Sequence, residues 1–201
     1  MPNQSMPLAH ETALLLLDLQ NEMVDPAGKI GANGLAAVVE QRGVVDKAAK
    51  ALAAARARGN AVVHVRLGFR ADYADALSVA PRIAKLKEHK AAILGSWGTE
   101  FPAALTPADG ELLVTKQCVN PFFNTGLMNW LSHKGVKHLV LCGVVTNLVV
   151  EATARAADDA GFAVTVLEDA CAAPNQVWHD FSMQNILPLF AEISKTEAFS
   201  A

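Results

Sequence analysis

Asp18 and Lys116 are an acid and a base that each end a run of apolar residues, 13–17 and 112–115. A carboxylate in such surroundings is costly to ionise without compensation, and a cation within about 4–6 Å favours its charged form. Brought together, the two could pass a proton to or from a substrate. They could equally form a structural ion pair across two strand ends. A third apolar run, 138–145, passes into Thr146-Asn147. Either residue is suited to cap a helix, and the first backbone N–H groups of residues 145–149 could hold a developing oxyanion. Strand-to-helix turns of this kind occur in every α/β protein, so this feature gains meaning from the other two.

Uninterrupted apolar runs read as strands buried on both faces of a parallel sheet. Open parallel sheets bind ligands outside the carboxyl ends of their strands. If the three strands are neighbours, Asp18, Lys116 and the helix start at Thr146-Asn147 share one crevice. Strands and helices alternate along the chain. One alanine-rich helix is expected to end near Arg58-Gly59, where glycine stops it, and a strand follows at 61–67. Residues 68–110 are irregular, with helical character around 80–90, and read as a pocket wall or lid. Helices are expected near 125–134, 147–160 and 176–190, with strands at 162–167 and 192–196. The alternation implies an α/β fold, a mainly parallel sheet with helices on both faces.

The chain has 201 residues and no linker-like segment, so it reads as one domain spanning 1–201. Hydrophobic residues make up 52% and charged residues 18%, which fits a large α/β core. A net charge of -3 gives no electrostatic case for nucleic acid or an anionic membrane. The short basic patch Arg82-Ile83-Ala84-Lys85-Leu86-Lys87 reads as a solvated helix face. No stretch approaches the roughly 18–20 apolar residues of a membrane span, and residues 1–10 do not read as a signal peptide. Cys118, Cys142 and Cys171 lack paired spacing, which points to a reducing compartment and a cytoplasmic location.

Asp18-x-Gln20-Asn21, Lys116, Gly143-x-x-Thr146-Asn147, Thr153-Ala154-Arg155-x-Ala157, Gly161-Phe162-x-Val164 and Asp169-Ala170-Cys171 follow in order. Together they resemble the isochorismatase-like hydrolase superfamily over nearly the whole chain. No single motif is specific; their order and spacing together are. The superfamily includes isochorismatases, nicotinamidases, N-carbamoylsarcosine amidases and ureidoacrylate amidases. The resemblance implies a six-stranded, mainly parallel sheet in a three-layer αβα fold, often assembled as dimers or tetramers. It also implies a cis peptide just before the Thr-Asn pair, here at Val144–Val145.

Most of that superfamily carries a cysteine three positions after the threonine, where this chain has Val149. In the amidase branch that cysteine attacks the carbonyl, the aspartate takes its proton and the lysine favours the charged state. Valine can do none of this, which removes covalent thiolate chemistry. Isochorismatases also lack the cysteine. For them the resemblance implies an aspartate that donates a proton to a vinyl ether, with water completing hydrolysis.

Cys118 shares a strand face with Lys116, but it reads as a buried small residue rather than a substitute nucleophile. Cys142 reads as core and Cys171 as structural. Nicotinamidases hold a divalent ion through an Asp-x-His pair and a further His. Here Asp72 is followed by Tyr73 and Ala74, and His64 and His89 lie within a strand and a helix. No metal or cofactor is therefore expected. Gln20, on the same loop as Asp18, could face the substrate. Phe69, Trp97, Phe122 and Phe123 could line the crevice, with packing at least as apt for each. Val144, Val145 and Asn147 would present polar groups of the turn. Arg66 or Arg70 could grip a substrate carboxylate, or form surface salt bridges.

The expected protein is a metal-free, homo-oligomeric hydrolase of a small molecule, with Asp18 and Lys116 catalytic and Val149 replacing the nucleophile. Blocking its thiols is expected to leave turnover nearly intact. The rivals are an amidase that activates water and an inactive binding or scaffold relative.

Overall fold

All six residues of the first strand, β1 (Thr12–Leu17), are buried, which explains why its sequence shows no polar alternation. Leu14 and Leu16 enter one apolar cluster, while Ala13, Leu15 and Leu17 enter another on the opposite face of the sheet. Each buried leucine contributes about 1.5–3 kcal/mol relative to exposure. The computed structural model describes residues 9–201. Residues 1–8, and most of the segment read against a signal peptide, lie outside the described residues.

β1 pairs in parallel with β2 (Ala61–Leu67) on one side and with β4 (His138–Val144) on the other. β3 (Leu112–Lys116) adds outside β2, and β5 (Ala163–Ala172) and β6 (Glu192–Ser194) add outside β4. The six-stranded order is β3-β2-β1-β4-β5-β6, and every pairing is parallel. The chain first grows outward from β1 through β2 to β3, then returns to β1 and grows the other way. This reversal between β1 and β4 is a topological switch point, and its crevice opens at the carboxyl ends of those strands.

The short helix α1 (Asn21–Val24) follows β1. α2 (Leu35–Arg42) and α3 (Val44–Arg58) then cover the Leu14–Leu16 face. The sequence reads as one helix here, but Gly43 takes a left-handed φ of 63° and breaks it into two. α4 (Pro81–Glu88) lies within the long segment between β2 and β3. α5 (Leu127–His133) and α6 (Glu151–Asp159) cover the opposite face. α7 (Gln176–Phe181) continues as a π turn, Ser182–Ile186, rather than as one long helix, and α8 (Thr196–Ser200) ends the chain.

β5 runs five residues further than its apolar core at 162–167 indicates, because its pairing with β4 slips between Leu141 and Gly143. Gly143 sits at φ 134°, and a Cβ there would overlap the Leu17 carbonyl oxygen. Only glycine lets β4 approach β1 closely at the point where the crevice begins. Among the described residues, no helix is long and apolar enough to cross a membrane.

Candidate active site

Asp18 is the first residue past β1 and adopts a left-handed φ of 55°, which aspartate tolerates better than most residues. Its N–H donates to the Val65 carbonyl at 2.9 Å, so pairing with β2 persists one residue beyond the strand. Lys116 ends β3, two strands away from β1 and about 10 Å distant at strand spacing. The strands are therefore not adjacent, yet the lysine side chain passes over the end of β2. Its Nζ donates to Asp18 Oδ2 at 2.7 Å and to the Cys118 carbonyl at 3.1 Å. Both side chains are almost fully buried, at 6% and 2% exposure. Asp18 Oδ1 is buried with no hydrogen-bond partner. Burial pushes the Asp18 carboxyl above the ordinary carboxylate range, and the Lys116 cation opposes that rise.

The turn after β4 carries a cis peptide at Val144–Val145. It continues as a π turn, Thr146–Val150, that feeds α6. Neither Thr146 nor Asn147 caps a helix; the residue at the cap position is Val145. The Thr146 hydroxyl instead pairs with His179 Nδ1 at 2.8 Å. His179 Nε2 lies 3.0 Å from the Arg42 guanidinium and 3.1 Å from Glu168 Oε1. Arg42 also donates to Glu168 Oε1 at 2.7 Å and to the Cys171 carbonyl at 3.0 Å. Burial pushes the His179 imidazole below the ordinary histidine value. This network joins α2, β5 and α7 to the turn. Sequence reasoning missed it, because its members are far apart in the chain: Thr146 stood out only as part of the Thr-Asn turn, and Arg42, Glu168 and His179 carry no local motif. The amides of Leu148 and Val150 both point to the Val145 carbonyl, at 3.1 and 3.4 Å, so these two are not free to hold an oxyanion.

Asp18, Lys116, Val144, Val145 and Val149 all line one cavity of about 160 Å³. Its remaining wall is largely hydrocarbon, including Met23, Ile30, Leu67, Leu86 and Val119. Cys118 lines it too, its Sγ 3.1 Å from the Asn120 carbonyl and its thiol pushed up by burial. Cys142 and Cys171 are fully buried away from it, Cys171 raised to about 12 by burial.

Several residues expected at the crevice have other work. Gln20 is fully buried; its amide donates to the Leu67 and Gly98 carbonyls and accepts from the Leu67 N–H, so it splints the end of β2. Phe69 is fully buried against Tyr73. Phe122 packs on Phe162 with ring centroids 6.5 Å apart, because the sheet face beneath it needs covering. Trp97 is half-exposed, and its carbonyl accepts from Asn21. Asn147 does not line the cavity, and its side-chain oxygen is buried and unpartnered. Arg66 is spent on Thr115 and the Thr99 carbonyl, and Arg70 forms an exposed bidentate pair with Asp72. Conversely, Arg82, from the patch read as a solvated face, lines the cavity.

A residue missed in the sequence holds the loops around this site. Glu22 is buried on α1, and its carboxylate accepts from the Lys29 N–H at 2.6 Å and the Ala92 N–H at 2.8 Å. Two segments distant in sequence are thereby tied to the helix that follows Asp18.

The family model for the isochorismatase domain matches residues 12–198. An uncharacterized isochorismatase family protein of Escherichia coli O157:H7, YecD, is 36% identical over 94% of each chain. The ureidoacrylate amidohydrolase RutB of Acinetobacter baylyi is 30% identical, covering 98% of this chain and 85% of that protein. The solved structure of an isochorismatase family protein from Desulfovibrio vulgaris superposes with a TM-score of 0.82 at 27% identity, over 94% of this chain and 95% of that one. With this coverage from a family model and from relatives alike, the chain belongs to the isochorismatase family of hydrolases.

Proposed function

We propose that this cavity hydrolyses a small molecule without a covalent thiolate, with Asp18 as proton-transfer residue and water as the nucleophile. One observation carries the reading. Asp18 Oδ2 is held by Lys116, Oδ1 is buried without a partner, and the wall that would otherwise offer a thiol is Val149. A carboxyl raised by burial is suited to give up a proton as an acid.

The nearest precedent for such a site is a vinyl ether. Protonation of its terminal alkene carbon by Asp18 leaves an oxocarbenium ion. Water adds to that ion and returns a proton to the carboxylate. The resulting hemiketal splits into an alcohol and a ketone, so one water is consumed and Asp18 is restored. Lys116 steadies the carboxylate while its proton is away. A second reading is favoured by the likeness to RutB, named for ureidoacrylate amide hydrolysis. There Asp18 would take a proton from water attacking an amide.

A panel of vinyl ethers and amides separates the two, with Asp18→Asn as the control. Turnover of a vinyl ether but no amide supports the first reading; the reverse supports the second. No turnover of any member by the wild type, with the fold intact, would reject both in favour of an inactive binding or scaffold role. The position of Cys118 changes one expectation. Carbamidomethylation would push a bulky group into the cavity, so loss of turnover on alkylation does not identify a nucleophile. Cys118→Ser does: full loss with that variant would make the thiol the nucleophile.

A further inference from the structure

We propose that Arg82 is the anion-recognition residue of the cavity, and that the substrate is a small carboxylic acid with an apolar body. The inference rests on the cavity being the substrate site.

Arg66 and Arg70, the arginines that the sequence offered for a substrate carboxylate, are already committed, Arg66 to Thr115 and Thr99 and Arg70 to Asp72. Arg82 lines the cavity and forms no hydrogen bond or ion pair with another described residue. Its place follows from helical spacing. Arg82 and Leu86 are four residues apart on α4, so they share one face, and both line the cavity. The long aliphatic stem can lie along apolar wall while the head stays hydrated at the mouth, consistent with an exposed residue.

Charge balance gives the ligand's sign. The cavity wall carries one carboxylate, Asp18, and two cations, Lys116 and Arg82. Lys116 is paired with Asp18 at 2.7 Å, so the Arg82 charge alone is left without a counterion. A guanidinium offers its donors as a planar fork that matches a carboxylate bidentately. The rest of the wall is largely aliphatic, including Met23, Leu67, Val119 and Val149, which excludes a strongly polar ligand body. A carboxylate on Arg82 would leave the far end of the molecule toward Asp18.

The test uses binding, so it does not depend on turnover. Benzoate and its neutral counterpart benzyl alcohol are titrated into the wild-type protein, Arg82→Ala and Arg82→Lys by NMR or calorimetry. Benzoate is expected to bind the wild type about 10- to 100-fold more tightly than benzyl alcohol. Arg82→Ala should erase that preference while leaving benzyl alcohol unchanged. Arg82→Lys should keep part of it. Equal binding of the two probes to the wild type overturns the proposal, as does failure of both to bind. An equal loss of both probes in Arg82→Ala would also overturn it, since that would mark a packing role. Absence of hydrolysis in the substrate panel, with the benzoate preference intact, would reject the catalytic reading and leave this one standing.

Discussion

Two ionic clusters flank the end of β4, one almost fully buried and one partly buried, and they differ in more than burial. In the Asp18–Lys116 pair, one carboxylate oxygen has no partner and the pair lines the cavity. In the Arg42–Glu168–His179–Thr146 network, no side-chain polar atom is left buried and unpartnered among those side chains, and none of the four lines the cavity. A satisfied network rigidifies its surroundings, whereas an unsatisfied buried group signals a cost accepted for another purpose. The first cluster is thus suited to chemistry and the second to holding the turn that forms the cavity wall. Charge alone would have treated the two alike.

The sharpest way to break that comparison is Asp18→Asn. Asparagine keeps the shape but cannot exchange the proton, so turnover should fall by about 10² to 10⁴-fold. Near-wild-type kcat in a folded variant would remove Asp18 from the chemistry.

His179→Ala attacks the second cluster. It strips a partner from Thr146, Arg42 and Glu168 together, and stability should fall by about 1–3 kcal/mol in denaturant titration. Any loss of kcat should be smaller than for Asp18→Asn. A variant as stable as the wild type but inactive would reverse the roles assigned to the clusters.

Acid titration sharpens the same contrast with a smaller effect. The folded state holds the His179 pKa below its ordinary 6.5, so the unfolded chain binds the proton more readily. The associated stability is present above that unfolded value and is lost as pH falls toward the folded one. Asp18 has the opposite sign: its raised pKa means its contribution is present at low pH and lost as pH rises through the folded value. His64 and His138 are lowered as His179 is. The readout is therefore the difference between wild type and His179→Gln, which should grow less favourable to the wild type below about pH 6.5. A difference independent of pH would show that His179 is not held neutral by burial.

The smallest expected effect belongs to Cys118→Ser, which keeps the size of the side chain at the cavity wall. Its kcat should stay close to that of the wild type, measured on whichever panel substrate is turned over.

Much of the fold was legible in the sequence because burial on both faces leaves a local mark. The unbroken apolar run at 13–17, the glycine after Arg58 and the alternation of strand and helix each depend only on near neighbours in the chain. Helix interruptions were read less well: Gly43 divides the helix expected there into two, and the helix expected from 147 begins as a π turn, Thr146–Val150. The pair Asp18 and Lys116 could also be picked out, since a charge ending an apolar run is conspicuous without knowing the fold.

What the sequence determined by itself was therefore the layered α/β architecture, the acid and base at strand ends, and valine at position 149. Only the tertiary structure decided which side chains face the cavity. Gln20 and Phe69 lie beside Asp18 and the end of β2, yet backbone hydrogen bonding claims one and core packing the other. Arg82, from an ordinary basic helix, takes a place at the wall, and His179 reaches the turn from more than thirty residues away, paired with Thr146 at a separation of 33. The reason is physical: burial and hydrophobic period are set by local spacing, whereas a side chain's partner is set by whichever distant backbone or charge the fold brings within about 3 Å.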